Sequence, residues 1–218
     1  LLFKLQENPE LVPYVAVTLN ELFIAAGSTC GITLHDILLI ISSDISNLTN
    51  IGLFFATASL APQEEILHES FTKIIASVQP NSISEFLKIV MNFAEKSASF
   101  FDPHLKDFTN YLCAIALNKG LQIERIYAMM CMASIARGAP QMCQMSNSRF
   151  LFPVIHCLIS IIAEITDDSN WGFDPNDIQP YVIAKDTFGT VSKECGNSNF
   201  FNFFINLMND VFSKPNQP

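Results

Sequence analysis

The chain has 218 residues, half of them hydrophobic, enough to bury a substantial core. Its formal charge of −9 and isoelectric point of about 4.8 argue against a nucleic-acid partner, since phosphates are held by clustered Lys and Arg and no such cluster is present. No uninterrupted apolar run reaches the roughly 20 residues of a bilayer span, so membrane insertion is not expected.

In chain order, helical periodicity dominates. Leu11, Val15, Leu19, Leu22 and Ala26 share one helix face, and Leu34, Ile37, Leu38, Ile41 and Ile45 another. Leu48, Ile51, Phe55 and Ala58 follow. Leu67, Phe71, Ile74, Ile75 and Val78 form the next stripe, with Pro62 ahead of it and Pro80 just past its end. Ser82 is placed as an N-cap before the stripe Ile83, Phe86, Leu87, Val90, Ala94 and Phe101. Asp102-Pro103 predicts a capping residue with proline in the first turn, opening a helix on Leu105, Phe108, Leu112 and Ile115. Ile123, Ile126, Tyr127, Met130 and Ser134 make a stripe ended by Gly138 and Pro140. Leu151, Val154, Ile155, Leu158, Ile161, Ile162 and Ile165 make the most regular one. Tyr181, Ala184, Phe188, Val191 and Cys195 are closed by Gly196, and Phe201, Phe204, Ile205, Met208, Val211 and Phe212 end the series. No alternating strand pattern is present.

The expected fold class is therefore all-α. Helices anchored at Leu67, Leu105, Leu151 and Phe201 alternate with helices between them, at steps of 38, 46 and 50 residues. Helix-pair repeats of the HEAT and armadillo kind run at roughly 40–47 residues. An α-solenoid of stacked antiparallel pairs, one array over residues 1–218, is the leading architecture, with a compact helical bundle as the alternative. The opening Leu1-Leu2-Phe3-Lys4-Leu5 reads as the end of a helix, so the chain is expected to be a fragment of something longer, monomeric by itself.

Catalytic and metal constellations are weak. The six cysteines form no C-x-x-C and sit mostly in apolar helical stretches, which fits a reducing compartment. Met129, Met130, Cys131 and Met132 are soft ligands for a Cu(I) ion, but consecutive helical residues diverge by about 100°, so core packing is the expected role. His156 and Cys157 diverge for the same reason, and His35, His68 and His104 show no zinc-site spacing. Glu64-Glu65 suits a helix start. No glycine-rich phosphate loop or G-x-S-x-G occurs, so no catalytic residue, cofactor or metal is expected.

The longest irregular stretch, residues 166–177, holds Asp167, Asp168, Trp171, Phe173, Asp174 and Asp177. Four carboxylates beside the only tryptophan could hold a basic partner by charge and cation–π contact. A solvated connector with its aromatics tucked down is the other reading.

The order of several segments carries a family resemblance. Ser82-Ile83-Ser84-Glu85-Phe86-Leu87 leads through Phe93-Ala94-Glu95 to Asp102-Pro103-His104-Leu105. Ser134-Ile135-Ala136-Arg137-Gly138-Ala139-Pro140 follows, then a long apolar helix, Asp168-Ser169-Asn170-Trp171, and an amphipathic helix from Ile178 to Cys195. Residues 66–212 thus resemble the middle HEAT repeats of karyopherin-beta nuclear transport receptors, most of all the importin-five (karyopherin-beta-three) type. The resemblance implies a non-enzymatic import receptor shuttling between cytoplasm and nucleus. It implies basic protein cargo and the Ran GTPase on a concave face, and phenylalanine–glycine nucleoporins outside. The helices from Ser82, Leu121 and Ile178 would line that concave face, with Glu85, Glu95, Glu124, Asp186 and Glu194 as its acids. A phosphatase- or chromosome-associated HEAT scaffold is the alternative, and a helical enzyme a more distant one.

Overall fold

The computed structural model describes residues 48–59, 65–164, 179–196 and 198–213, together with Tyr14, Thr18, Glu21 and Ala25, which are helical. Among the described residues every regular element is a helix and none is a strand, as the periodicity requires. The remainder of the helices expected over residues 11–26 and 34–45 lies outside the described residues. The chain divides into two compact units, Leu1–Pro103 and His104–Pro218.

In the first unit, α1 (Leu48–Ala58), α2 (Glu65–Ser77) and α3 (Ile83–Ser97) bury the faces that their stripes predict. Ile51, Phe55, Leu67, Phe71, Ile74, Phe86, Leu87 and Val90 are all buried. Phenylalanine rings knit these helices together. Phe54, Phe55, Phe71, Phe93, Phe100 and Phe101 form one cluster, with centroids between 4.8 Å for Phe55–Phe93 and 6.2 Å for Phe54–Phe100. Most pairs meet edge to face, as ring quadrupoles prefer. His68 stacks flat on Phe100 at 4.9 Å.

Two helix boundaries differ from expectation. Ser82 occupies the N-cap position of α3, but its hydroxyl meets Asn81 Oδ1 at 3.3 Å and caps no amide. Asp102-Pro103 does not open a helix: both residues lie in a 3-10 segment, Ala98–His104, and His104 is the cap residue of the next helix. Phe100 and Phe101 are buried within this segment and anchor it in the core.

The second unit contains α4 (Leu105–Leu117), α5 (Gln122–Gly138), α6 (Pro140–Met145), α7 (Phe152–Ile162), α8 (Pro180–Cys195) and α9 (Ser198–Ser213), with a π turn at Asn147–Leu151 before α7. A tight turn reverses the chain between α4 and α5. There the Gly120 amide donates to Asn118 Oδ1 at 3.0 Å and the Leu121 amide to the Asn118 carbonyl at 3.0 Å. Helix α4 packs on α5 and α7 on α8; α4 also packs on α7, and α5 on α8. The crossed pairs α4–α8 and α5–α7 touch barely or not at all.

Relative direction follows from two bonding sites. Arg125 at the start of α5 donates from Nε to the Ala116 carbonyl at 2.7 Å, and from Nη2 to Glu164 Oε2 at 2.8 Å. The C-terminal ends of α4 and α7 therefore meet at one side chain, so these helices run parallel. The Cys195 thiol reaches the Ala136 carbonyl at 3.8 Å, joining the C-terminal ends of α8 and α5. Neighbours across the stack are thus parallel, and partners within a pair are antiparallel. An up-and-down four-helix bundle has the opposite rule: adjacent helices are antiparallel and parallel ones face each other across the diagonal.

Two stripes are corrected by this packing. Helix α5 buries Arg125, Ala128 and Met129 and then every residue from 131 to 136, while Ile123, from the expected stripe, is 60% exposed and Ile126, Tyr127 and Met130 are half-buried. Small side chains let neighbours approach α5 from several sides, so its buried surface is not a single face. On α9 the buried ring is Phe200, which meets Phe188 of α8 at 6.0 Å, and Phe203 stacks on Phe152 of α7 at 4.0 Å. The expected Phe201 and Ile205 are 61% and 54% exposed.

Two substitutions test these contacts. Phe100→Ala should lower the unfolding free energy in urea by about 3–5 kcal/mol, the range for a phenylalanine lost from a close-packed core. Arg125→Ala should cost about 2–3 kcal/mol in the same assay, because it strands the Ala116 carbonyl while Glu164, a quarter exposed, keeps some hydration.

Candidate functional site

The second helices of the two stacked pairs, α5 and α8, lie side by side and carry three of the expected acidic residues. Glu124 stands in the first turn of α5 and Asp186 and Glu194 on α8. Asp186 and Glu194 are eight residues apart, which is about 12 Å along the axis and about 80° around it. The same surface holds two lysines that the acid-centred reading passes over. Lys185 and Lys193 are exposed on α8, and Lys193 Nζ lies 3.7 Å from Glu194 Oε1. Tyr181 and Ile123 are exposed apolar groups near the starts of α8 and α5. The face is therefore mixed: carboxylates and ammonium groups interleaved, with exposed apolar side chains at one end.

Helix position separates the five acids. Glu85 and Glu124 lie in first turns, where a carboxylate complements the positive end of the helix dipole, so each has a role in its own helix whatever it binds. Glu85 also pairs with Lys88 at 2.6 Å on the surface. Glu95 and Glu194 sit at the opposite ends of α3 and α8, where a carboxylate opposes the dipole. Asp186 lies in the middle of α8, and Glu194 pairs with Lys193. Glu85 and Glu95 belong to the first compact unit and Glu124, Asp186 and Glu194 to the second. The loop residues Asp167, Asp168, Trp171, Phe173, Asp174 and Asp177 lie outside the described residues.

The thiols and thioethers are placed by packing. Met129, Cys131 and Met132 are fully buried. His156 is exposed and Cys157 buried, so that adjacent pair diverges as helix geometry demands. Cys143 and Cys195 reach the Ile135 and Ala136 carbonyls at 3.9 Å and 3.8 Å, in the last turn of α5; the Ile135 carbonyl also accepts the Ala139 amide at 3.0 Å. Among the described residues no three His, Cys, Asp or Glu side chains gather as metal ligands, and no helix is long and apolar enough to cross a membrane.

On α4, in the layer of first helices, Tyr111 is strongly perturbed. Tyr111 of α4 stacks beside Phe108, and burial, with the Cys131 thiol adding repulsion, pushes its phenol up to about 12. The unfolded chain would release that proton near pH 10. The folded state therefore keeps its full Tyr111 contribution below pH 10 and loses it as pH rises from 10 toward about 12.

No protein-family model, curated protein or solved structure matches the chain. The class that the geometry itself defines is an all-α chain in which helices of the second unit are stacked as antiparallel pairs.

A spectrophotometric titration at the phenolate band should show a late component near pH 12 that Tyr111→Phe removes. Loss of that component without change in the far-ultraviolet circular dichroism would assign it to this side chain.

Proposed function

We propose that the chain is part of an α-solenoid scaffold of HEAT type that binds proteins, in the form of a nuclear import receptor. In this reading it carries cargo with basic segments, answers to Ran-GTP and moves between cytoplasm and nucleus. The observation that carries the reading is the parallel, side-by-side stacking of the pair α4–α5 on the pair α7–α8. Such stacking repeats by translation, leaves one helix layer on each side and builds a continuous surface from successive second helices. The ordered resemblance of residues 66–212 to karyopherin-beta repeats supplies the transport role. The chain's net negative charge complements a basic cargo segment.

The lysines on α8 favour a second reading, a HEAT scaffold for a partner of mixed charge with no link to transport. Both readings place the partner on the α5–α8 layer, and Ran separates them.

The test is fluorescence anisotropy of a labelled Lys/Arg-rich localisation peptide titrated with the chain. Binding should tighten as salt is lowered. Reversing Glu124, Asp186 and Glu194 together to Lys should weaken it about tenfold, roughly half a kcal/mol for each carboxylate. Unchanged affinity in the triple variant would remove the α5–α8 face from the account. Displacement of the peptide by Ran-GTP supports the import receptor, and retention of the peptide supports the other scaffold.

A further inference from the structure

The two thiols facing each other across the first-helix layer form a distinct feature. Cys113 lies on α4 and Cys157 on α7, parallel neighbours in the stack. The Cys157 thiol reaches the Cys113 carbonyl at 3.9 Å. The Cys113 thiol reaches the Pro153 carbonyl at 3.7 Å, one helical turn before Cys157. Each sulfur therefore lies over the other residue's helix, with a single layer of side chains between the backbones. A disulfide requires that kind of approach, with Cα atoms about 4.4–6.8 Å apart. The other described cysteines are fully buried, whereas Cys113 is half-buried.

We propose that Cys113 and Cys157 are a redox modification site, forming a reversible disulfide that cross-links α4 to α7. The oxidant is a small disulfide of the glutathione class. The Cys113 thiolate attacks one sulfur of the reagent, forming a mixed disulfide and releasing one thiol. Cys157 then loses its proton, attacks the Cys113 sulfur and displaces the second thiol. Two protein thiols are oxidised to one disulfide, and one reagent disulfide is reduced to two thiols.

The environment sets how readily the pair reacts. A hydrogen bond to Cys113 and burial hold the Cys157 thiol well above the ordinary range, with Glu164 adding to the effect and Arg125 opposing it. Cys157 is 1% exposed, so it reacts with its neighbour and not with reagent from solution. The bridge closes a loop between residues 44 apart, which restricts the unfolded chain and ties two successive helix pairs to each other.

The test is to incubate the native chain with oxidised glutathione, block remaining thiols with N-ethylmaleimide, and map the peptides by mass spectrometry. A Cys113–Cys157 bridge is expected as the main product, lost on reduction with dithiothreitol, with a higher urea midpoint for the oxidised chain. Cys113→Ser and Cys157→Ser should each abolish the bridge. Recovery of Cys113 as a stable glutathione adduct with Cys157 still alkylatable after unfolding would overturn the proposal. So would a main bridge between any other pair, or no oxidation at all.

Discussion

Helix α5 can be approached by α4, α6 and α8 together only because its surface is made of small side chains. Ala128, Cys131, Ala133, Ser134 and Ala136 are buried along it, and the larger Met129, Met132 and Ile135 fill what remains. The rest of the second unit depends on that approach. If α8 were held further off, Cys195 would lose the Ala136 carbonyl, and α9, which leans on Phe188 of α8, would lose its seat. Interiors packed at crystal-like density transmit such shifts because few voids can absorb them.

Close packing leaves helix ends inside, and their backbone groups must find partners. The guanidinium of Arg125 meets the end of α4, and two thiols meet the end of α5. Cysteine suits this task because it is small and apolar yet carries a weak donor. Satisfaction is incomplete at Thr109 Oγ1 and Asn147 Oδ1, which are buried without a protein partner. An orphaned polar atom costs about 1–3 kcal/mol. Asn147 begins the π turn, a geometry with poorer bonding than the α-helix that follows it.

How much of this was legible in the sequence depended on the contrast between helix faces. Where large apolar residues recur against polar ones, as in α2, α4 and α7, the stripes named the buried residues. Leu105, Phe108, Leu112 and Ile115 are all buried as expected. Helix α5 misled the same reasoning because it is covered on several sides, so its periodicity carries little information. Size was also misleading, since Ile123 is exposed while Ala128 is buried. Asp102-Pro103 carried the residues of a helix start, and two buried rings just before it decided the backbone instead. At the candidate site, listing acids found Glu124, Asp186 and Glu194, but lysines next to two of them showed their relevance only once the α8 surface was defined. Arg125 gave no signal at all. An arginine in a helix reads as a solvated charge until its partners, Ala116 and Glu164, are brought to it by the fold.

Parallel neighbours also align their dipoles. At the edge where Arg125 sits, α4 and α7 both present C-terminal carbonyls, and α5 and α8 both present N-terminal amides. Within each layer the like ends add, and between layers they oppose. That edge therefore carries two adjacent stripes of opposite partial charge. Side chains follow the pattern: Arg125 and Lys119 gather at the negative stripe, with Lys119 3.8 Å from Glu164, and Glu124 stands in the positive one. Each further pair stacked by the same rule would lengthen both stripes in register, making the rim of the stack a field with a fixed polarity across its thickness, independent of which charged residues decorate it.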